Sequence, residues 1–253
     1  MNKLLKENRI VHGLWIGERL SLLEQLTIKL LQSHGHEFHL WSYGPIEGVP
    51  EGTVMEDAEK ILPKTSIWSY NGNPNQHLAG GGIGSLSHWS DQFQLALLYK
   101  RGGIYIQLDV AVLTPLNFTK PFVFAPQYMN GEQVGFGAFI MKAPKGHPSL
   151  LQTHKALAHF FNPETSSTME WESSMVGIFV MMRSLISNWK DFLIRDEEFL
   201  DLGTLKDSPY NSPYAIQESV KMIHWSNATH KDTKDSPIEG STYWELLKLT
   251  NLI

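Results

Sequence analysis

Residues 10–43 set the strongest constraint on the fold. "IVHGLWI" (10–16) reads as a short apolar strand. In "RLSLLEQLTIKLLQSHG", Leu22, Leu23, Leu26, Leu30 and Leu31 recur at helical spacing, and Gly35 is a natural stop. "EFHLWSY" reads as a second strand. Strand, helix, strand in that order is a crossover unit, which pairs the two strands in parallel. The sequence therefore predicts an α/β fold: a mixed, mostly parallel central sheet flanked by helices.

Later segments continue the pattern. "MEDAEKIL" predicts a short helix inside a long loop over 44–64, and 71–87 a flexible segment. "SDQFQLALLYKRGG" predicts a helix with Ser87 or Ser90 at its cap, Asp91 in its positive first turn, Lys100 and Arg101 in its last, and Gly102–Gly103 as its stop. A strand over 102–116, closed by Pro115, follows. "PFVFAPQ", "VGFGAFIMKAP" and "VKMIHWS" predict further strands. "GHPSLLQTHKALAHFF", "WESSMVGIFVMMRSLISNWKDFL" and "STYWELLKLTNLI" predict helices. At 253 residues the chain is expected to be a single domain over 1–253, with a ligand-binding half over 1–120 and a second half over 121–253.

Composition narrows the chemistry. The chain has no cysteine, which removes a disulfide framework, a thiolate metal site and a cysteine nucleophile. A net charge of −5 gives no reason to expect nucleic acid as a partner. The first ten residues carry Lys3, Lys6, Glu7 and Arg9 and no apolar core, unlike a signal peptide. No run approaches the roughly 18 apolar residues of a membrane span. A cytoplasmic protein is the expectation, with at most peripheral contact at the inner face of a membrane. "HEFH" is one residue short of a zinc helix, "GGGIGSLS" lacks the spacing and Lys-Ser/Thr of a phosphate loop, and no G-x-S-x-G elbow is present.

The chemistry is expected around 91–109. On a strand, Gln107 and Asp109 emerge from the same face, about 6.6 Å apart. Asp91 and Gln94 share a helix face. The helix–Gly–Gly–strand hairpin folds that face back toward the strand end, where ligands sit in open α/β sheets. Asp91 as a helix-cap residue, Asp109 as a turn residue, and Trp15 and His224 as core residues are the plainer readings.

"SDQFQLALLYKRGGIYIQLDVAVLTPL" resembles the core of glycosyltransferase family 32 and its capsular-polysaccharide relatives, and more distantly the glucosylating clostridial toxins. That pattern has Ser-Asp, an Arg three residues on, a helix, Gly-Gly-x-Tyr, Asp-x-Asp and Pro-Leu. "IVHGLWIGERL", "FIMKAPKGHPSL" and "IHWSNATHKDTKDSPIEGSTYWELLK" resemble its opening, middle and closing segments, in order.

The resemblance implies a GT-A-like nucleotide-sugar-binding fold and transfer of a sugar from a UDP-sugar, with retention. The expected acceptor is a glycan or lipid-linked glycan of capsule, O-antigen or lipopolysaccharide type. A divalent cation, Mn²⁺ or Mg²⁺, would neutralise the diphosphate. Carried over by position, Trp15 stacks on the base, Asp91 and Gln94 position the donor sugar, and Asp109 holds the metal with His224 and Gln107. Asn227 and Lys231, or Lys234 in its place, meet the nucleotide. Gln107 stands where the first Asp of the pair is expected, Gln94 where the Arg is expected, and Gly137 where an Asn is usual. The alternative is a non-catalytic relative that binds a nucleotide sugar or glycan and lost turnover through those two glutamines.

Overall fold

The computed structural model describes residues 4–69, 84–129, 132–160, 182, 185–202, 211–225 and 234–253. Strand β1 (Ile10–Leu14) pairs in parallel with β2 (Glu37–Ser42), from Ile10 opposite Glu37 to Leu14 opposite Trp41. Helix α1 (Leu22–Ser33) makes the crossover. Ser21 and Glu24 form a capping box at its start, with Glu24 Oε2 accepting from the Ser21 backbone N–H at 2.7 Å. Gly35, at φ 85°, turns the chain out of the helix.

The segment "MEDAEKIL" departs from its helical reading. Val54–Asp57 is strand β3, and only Ala58–Lys60 is a single 3₁₀ turn. Helix α2 (Ser87–Arg101) then leads into β4 (Gly103–Ile106). Residues 91–98 of α2 are buried without a break, hence on every face, so Asp91, Gln92 and Gln94 lie inside the protein. Gly102, at φ 69°, joins the two elements, and its N–H donates to Leu98 O at 2.7 Å. A Cβ at Gly102 would lie 2.6 Å from the backbone nitrogen of Lys145. Close approach as well as turning requires glycine here.

The strand expected over 102–116 is two strands. β4 ends at Ile106, residues 107–109 turn, and β5 (Val110–Val112) belongs to another sheet. The larger sheet has six strands in the order β3-β2-β1-β4-β7-β6, where β6 (Val123–Met129) and β7 (Glu132–Ala143) form an antiparallel pair. The smaller sheet has the order β5-β9-β8, with β8 (Phe199–Asp201) and β9 (Met222–His224). Helices α3 (Pro148–Phe160) and α4 (Thr242–Leu249) complete the main elements. The helix expected over 171–193 falls largely outside the described residues, and Trp189–Phe192 is a 3₁₀ turn.

The chain forms two compact units, neither of them a contiguous half: residues 1–56, 106–119 and 195–253, and residues 57–105 and 120–194. In the first, Leu23, Leu26 and Leu30 of α1 pack with Ala111, Ile223, Trp225, Tyr243 and Leu247. Each fully buried leucine contributes about 1.5–3 kcal/mol. In the second, Phe93, Leu97, Phe124, Phe136, Ile140, Leu150 and Leu157 are wholly buried. Phe124 stacks on Phe136 with ring centroids 4.1 Å apart. Among the described residues, no helix is long and apolar enough to cross a membrane.

Candidate functional site

Gln107, Leu108 and Asp109 form the turn between β4 and β5, so strand alternation does not set the directions of Gln107 and Asp109. The chain leaves the larger sheet because Val110–Val112 pairs antiparallel with β9, Val110 opposite His224. Two hydrogen bonds hold the turn. Thr27 Oγ1 on α1 donates to Leu108 O at 2.8 Å, and the Trp225 N–H donates to Asp109 O at 2.8 Å.

The smaller sheet then brings three side chains into a row. Asp109 precedes β5, His224 ends β9 and Asp201 ends β8, where it lies opposite His224 in the parallel register. Asp109 Oδ2 lies 3.4 Å from His224 Nε2, and Asp201 Oδ1 lies 3.0 Å from His224 Nδ1. Burial by itself would lower the pKa of His224. The charge and hydrogen bonding of Asp109, then of Asp201, outweigh burial and raise it to about 9. The ring is therefore an imidazolium at neutral pH, with a proton directed at each carboxylate.

This state bears on metal binding. Only a neutral imidazole has a lone pair to give, so a cation held by Asp109 and His224 would compete with this proton. No cluster of three His, Cys, Asp or Glu side chains able to hold a metal ion occurs among the described residues. Hard cations such as Mg²⁺ are, however, commonly held by one or two carboxylates together with substrate phosphates. Asp109, with the half-buried Gln107 beside it, fits a cation shared with a diphosphate and does not fit a cage built by protein alone.

Trp15 lies one residue past β1, half-buried, with its backbone N–H donating to Trp41 O and its indole Nε1 donating to Arg19 O at 3.0 Å. Lys234 Nζ sits 5.4 Å from the Trp15 ring centroid and 2.7 Å from Glu24 Oε1. Glu24 is 1% exposed. Lys234 thus serves as the counter-ion of a buried carboxylate, an engagement its place in a charged loop did not reveal. Asn227 and Lys231 lie outside the described residues.

In the second unit, Asp91 sits in the second turn of α2. The first turn holds no acidic residue, and the N-cap position is Leu86, so Asp91 has no capping role there. It is 5% exposed, and burial pushes its carboxyl up to about 8. Asp91 and Gln94 line one small cavity together with Leu95, Ala138, Met141, Thr153 and Met182. Gly137 is buried in β7, opposite Ala125 of β6.

Sequence reasoning missed Asp201 and Thr153. Asp201 sits in an apolar run with its partner 23 residues away, and only the β8–β9 register brings the two together. Thr153 looks like an ordinary helical residue and is wholly buried.

Residues 32–124 match the family model described as "Glycosyltransferase sugar-binding region containing DXD motif". No curated protein matches the sequence. Among solved structures, the fold is similar to the apo form of the glycosyltransferase GlyE of Streptococcus pneumoniae TIGR4, with TM-score 0.52 and 14% identity; the match covers 96% of this chain and 60% of that one. It also resembles the PaToxG glycosyltransferase (TM-score 0.41, 13% identity, 75% of this chain, 81% of that one). A transferase solved as a double cysteine-to-serine mutant is a further neighbour (TM-score 0.45, 10% identity, 77% and 94%). At 14% identity the likeness to GlyE shows the fold alone, an α/β arrangement of GT-A type.

Proposed function

We propose that the chain is a glycosyltransferase that moves a sugar from a UDP-sugar to a glycan acceptor, with retention at the anomeric carbon. Asp109 is the observation that carries this reading. It lies within the stretch that matches the sugar-binding-region family, in a turn fixed by hydrogen bonds from two other elements, and its carboxylate faces a charged imidazole. The leaving group is a nucleoside diphosphate whose developing negative charge must be neutralised.

Asp109, assisted by Gln107, would hold a divalent cation that supplies this neutralisation. His224 orients Asp109 and adds positive charge beside it. Trp15 offers a ring face for the base, and Asp91 with Gln94 is assigned to the donor sugar. The bond from the anomeric carbon to the phosphate oxygen breaks while the acceptor oxygen bonds to the same face. The acceptor proton passes to the leaving phosphate oxygen, so no dedicated base is required.

The glutamines at 94 and 107 favour a second reading, a binder without turnover. Gln107 keeps an acceptor oxygen but loses a charge, and Gln94 cannot make the bidentate grip of an arginine. Incubation with a panel of nucleotide sugars, in Mn²⁺ or chelator, separates the readings through nucleotide release and thermal shift. Release that requires the cation and is abolished in Asp109→Ala is the expected result. Stabilisation by UDP without release on any acceptor supports the second reading. If neither Trp15→Ala nor Asp109→Ala weakens UDP binding, the site is wrongly placed.

A further inference from the structure

The His224 ring is held from three sides. The ring of Phe199 lies nearly parallel to it, with centroids 6.5 Å apart and planes 14° apart. Asp201, two residues further along β8 and so on the same face, accepts from Nδ1 at 3.0 Å. Asp109 Oδ2 faces Nε2 at 3.4 Å. The two carboxylate contacts are unequal. The first has the length of a hydrogen bond, and the second lies beyond the roughly 2.7–3.2 Å of a well-made one. The ring is therefore anchored from the Asp201 side, and the looser contact is the one that a ligand at Asp109 would disturb. An ionised carboxylate can only accept, so Asp201 also keeps a proton on Nδ1 and leaves Nε2 as the atom that meets Asp109.

We propose that Asp201 is a positioning residue of the transfer site: its hydrogen bond to Nδ1 sets the orientation of the His224 ring and, through Nε2, the placement of the Asp109 carboxylate that meets the cation and the diphosphate. The role rests on the glycosyltransferase reading above, which supplies the ligand. Asp201 acts through His224 and takes no step of the transfer itself. A carboxylate behind an imidazole is a general device for orienting a binding group, and its removal from metal centres costs about 10–100-fold in affinity. The Asp201 side chain is 30% exposed, against 8% for His224, so changes at 201 leave the core packing in place.

Asp201→Ala and Asp201→Asn separate placement from stability. Asparagine loses the charge but keeps an acceptor oxygen for the Nδ1–H, whereas alanine loses both. Both changes should lower Tm. Calorimetric titration of the whole chain with UDP in Mn²⁺ should show affinity weakened about 10–100-fold in Asp201→Ala, with most of the loss recovered in Asp201→Asn. Crystal structures of the two unliganded variants give a second readout. In Asp201→Ala the His224 ring should turn about its Cβ–Cγ bond and the Asp109 carboxylate should shift, while in Asp201→Asn both keep their places. If alanine fails to fold, Asp201→Ser, too short to reach Nδ1, takes its part in both measurements. Wild-type affinity in Asp201→Ala, equal losses in the two variants, or an unmoved ring and carboxylate each overturn the proposal and leave the glycosyltransferase reading intact. A wild-type chain that binds no UDP in Mn²⁺ overturns that reading, and the proposal with it.

Discussion

Asp201 and His224 occupy matched positions on two parallel strands, and Oδ1 of the first lies 3.0 Å from Nδ1 of the second. Asp109 faces the other ring nitrogen. The raised pKa of His224, about 9 against an ordinary 6.5, means that the folded chain binds more protons than the unfolded one between those values. The stabilisation is therefore full below about pH 6.5 and is lost as pH rises through about 9. Asp201→Asn removes one charge that holds the proton. It should lower stability at neutral pH by about 1.5–3 kcal/mol, shift the alkaline loss to lower pH and lower the His224 titration midpoint measured by NMR.

Asp91 titrates with the same sign from the opposite charge type. Its carboxyl is raised to about 8 from 3.8, so the folded state keeps a proton that the unfolded state gives up, and stability falls across that window as pH rises. Asp91→Asn mimics the neutral form. Its Tm advantage over wild type should be absent near pH 4 and grow toward pH 8, as followed by thermal denaturation across that range.

Four histidines, His36 and His88 buried and His34 and His154 half-buried, act in the other direction. Burial is the largest cause that lowers the pKa of His34, His36, His88 and His154, and His88, stacked on Trp68, falls to about 4. The unfolded chain then takes up more protons below about pH 6.5. This part of the stability is present above that value and is lost as pH falls toward the folded pKa values. His88→Phe keeps a ring against Trp68 and should reduce the loss of urea midpoint between pH 6.5 and 4.5.

Lys234 is tied to Glu24 by an ion pair that leaves the carboxylate 1% exposed. Lys234→Met strands that charge and should cost about 3–5 kcal/mol. Adding Glu24→Gln should recover part of the loss, because the glutamine side chain can still serve the capping box. Urea denaturation of the single and double variants checks both claims.

Gly102→Ala should be the most damaging of the single-methyl changes. It places a Cβ at φ 69° and 2.6 Å from the Lys145 backbone nitrogen. Backbone faces backbone there, so no side chain can move aside, and a loss of about 1–3 kcal/mol from the conformation alone is compounded by the clash. Circular dichroism and soluble yield report it.

The β1–α1–β2 unit was legible because its apolar residues keep one period at a time, 2.0 and then 3.6. The turn at 107–109 was not. Val110, Ala111 and Val112 continue the apolar run of Ile104–Ile106, and nothing in composition says that the chain has left one sheet for another. The first-turn placement of Asp91 failed because α2 begins at Ser87, which puts Asp91 in its second turn. A carboxylate near a helix start usually faces water, but α2 is buried on all sides, which only tertiary packing decides.

The two units change hands along the chain at residues 56/57, 105/106, 119/120 and 194/195. The core of the first unit joins Leu23, Leu26 and Leu30 to Tyr243 and Leu247. During synthesis on a ribosome, α1 can pack on β2 and β5 once those strands are made, but the part of its leucine stripe that meets Tyr243 and Leu247 must wait until more than two hundred further residues have been made. The other unit completes its set of residues at 194 and can close first. The core of the first unit is thus completed only at the end of translation, after the residues of the second are all in place.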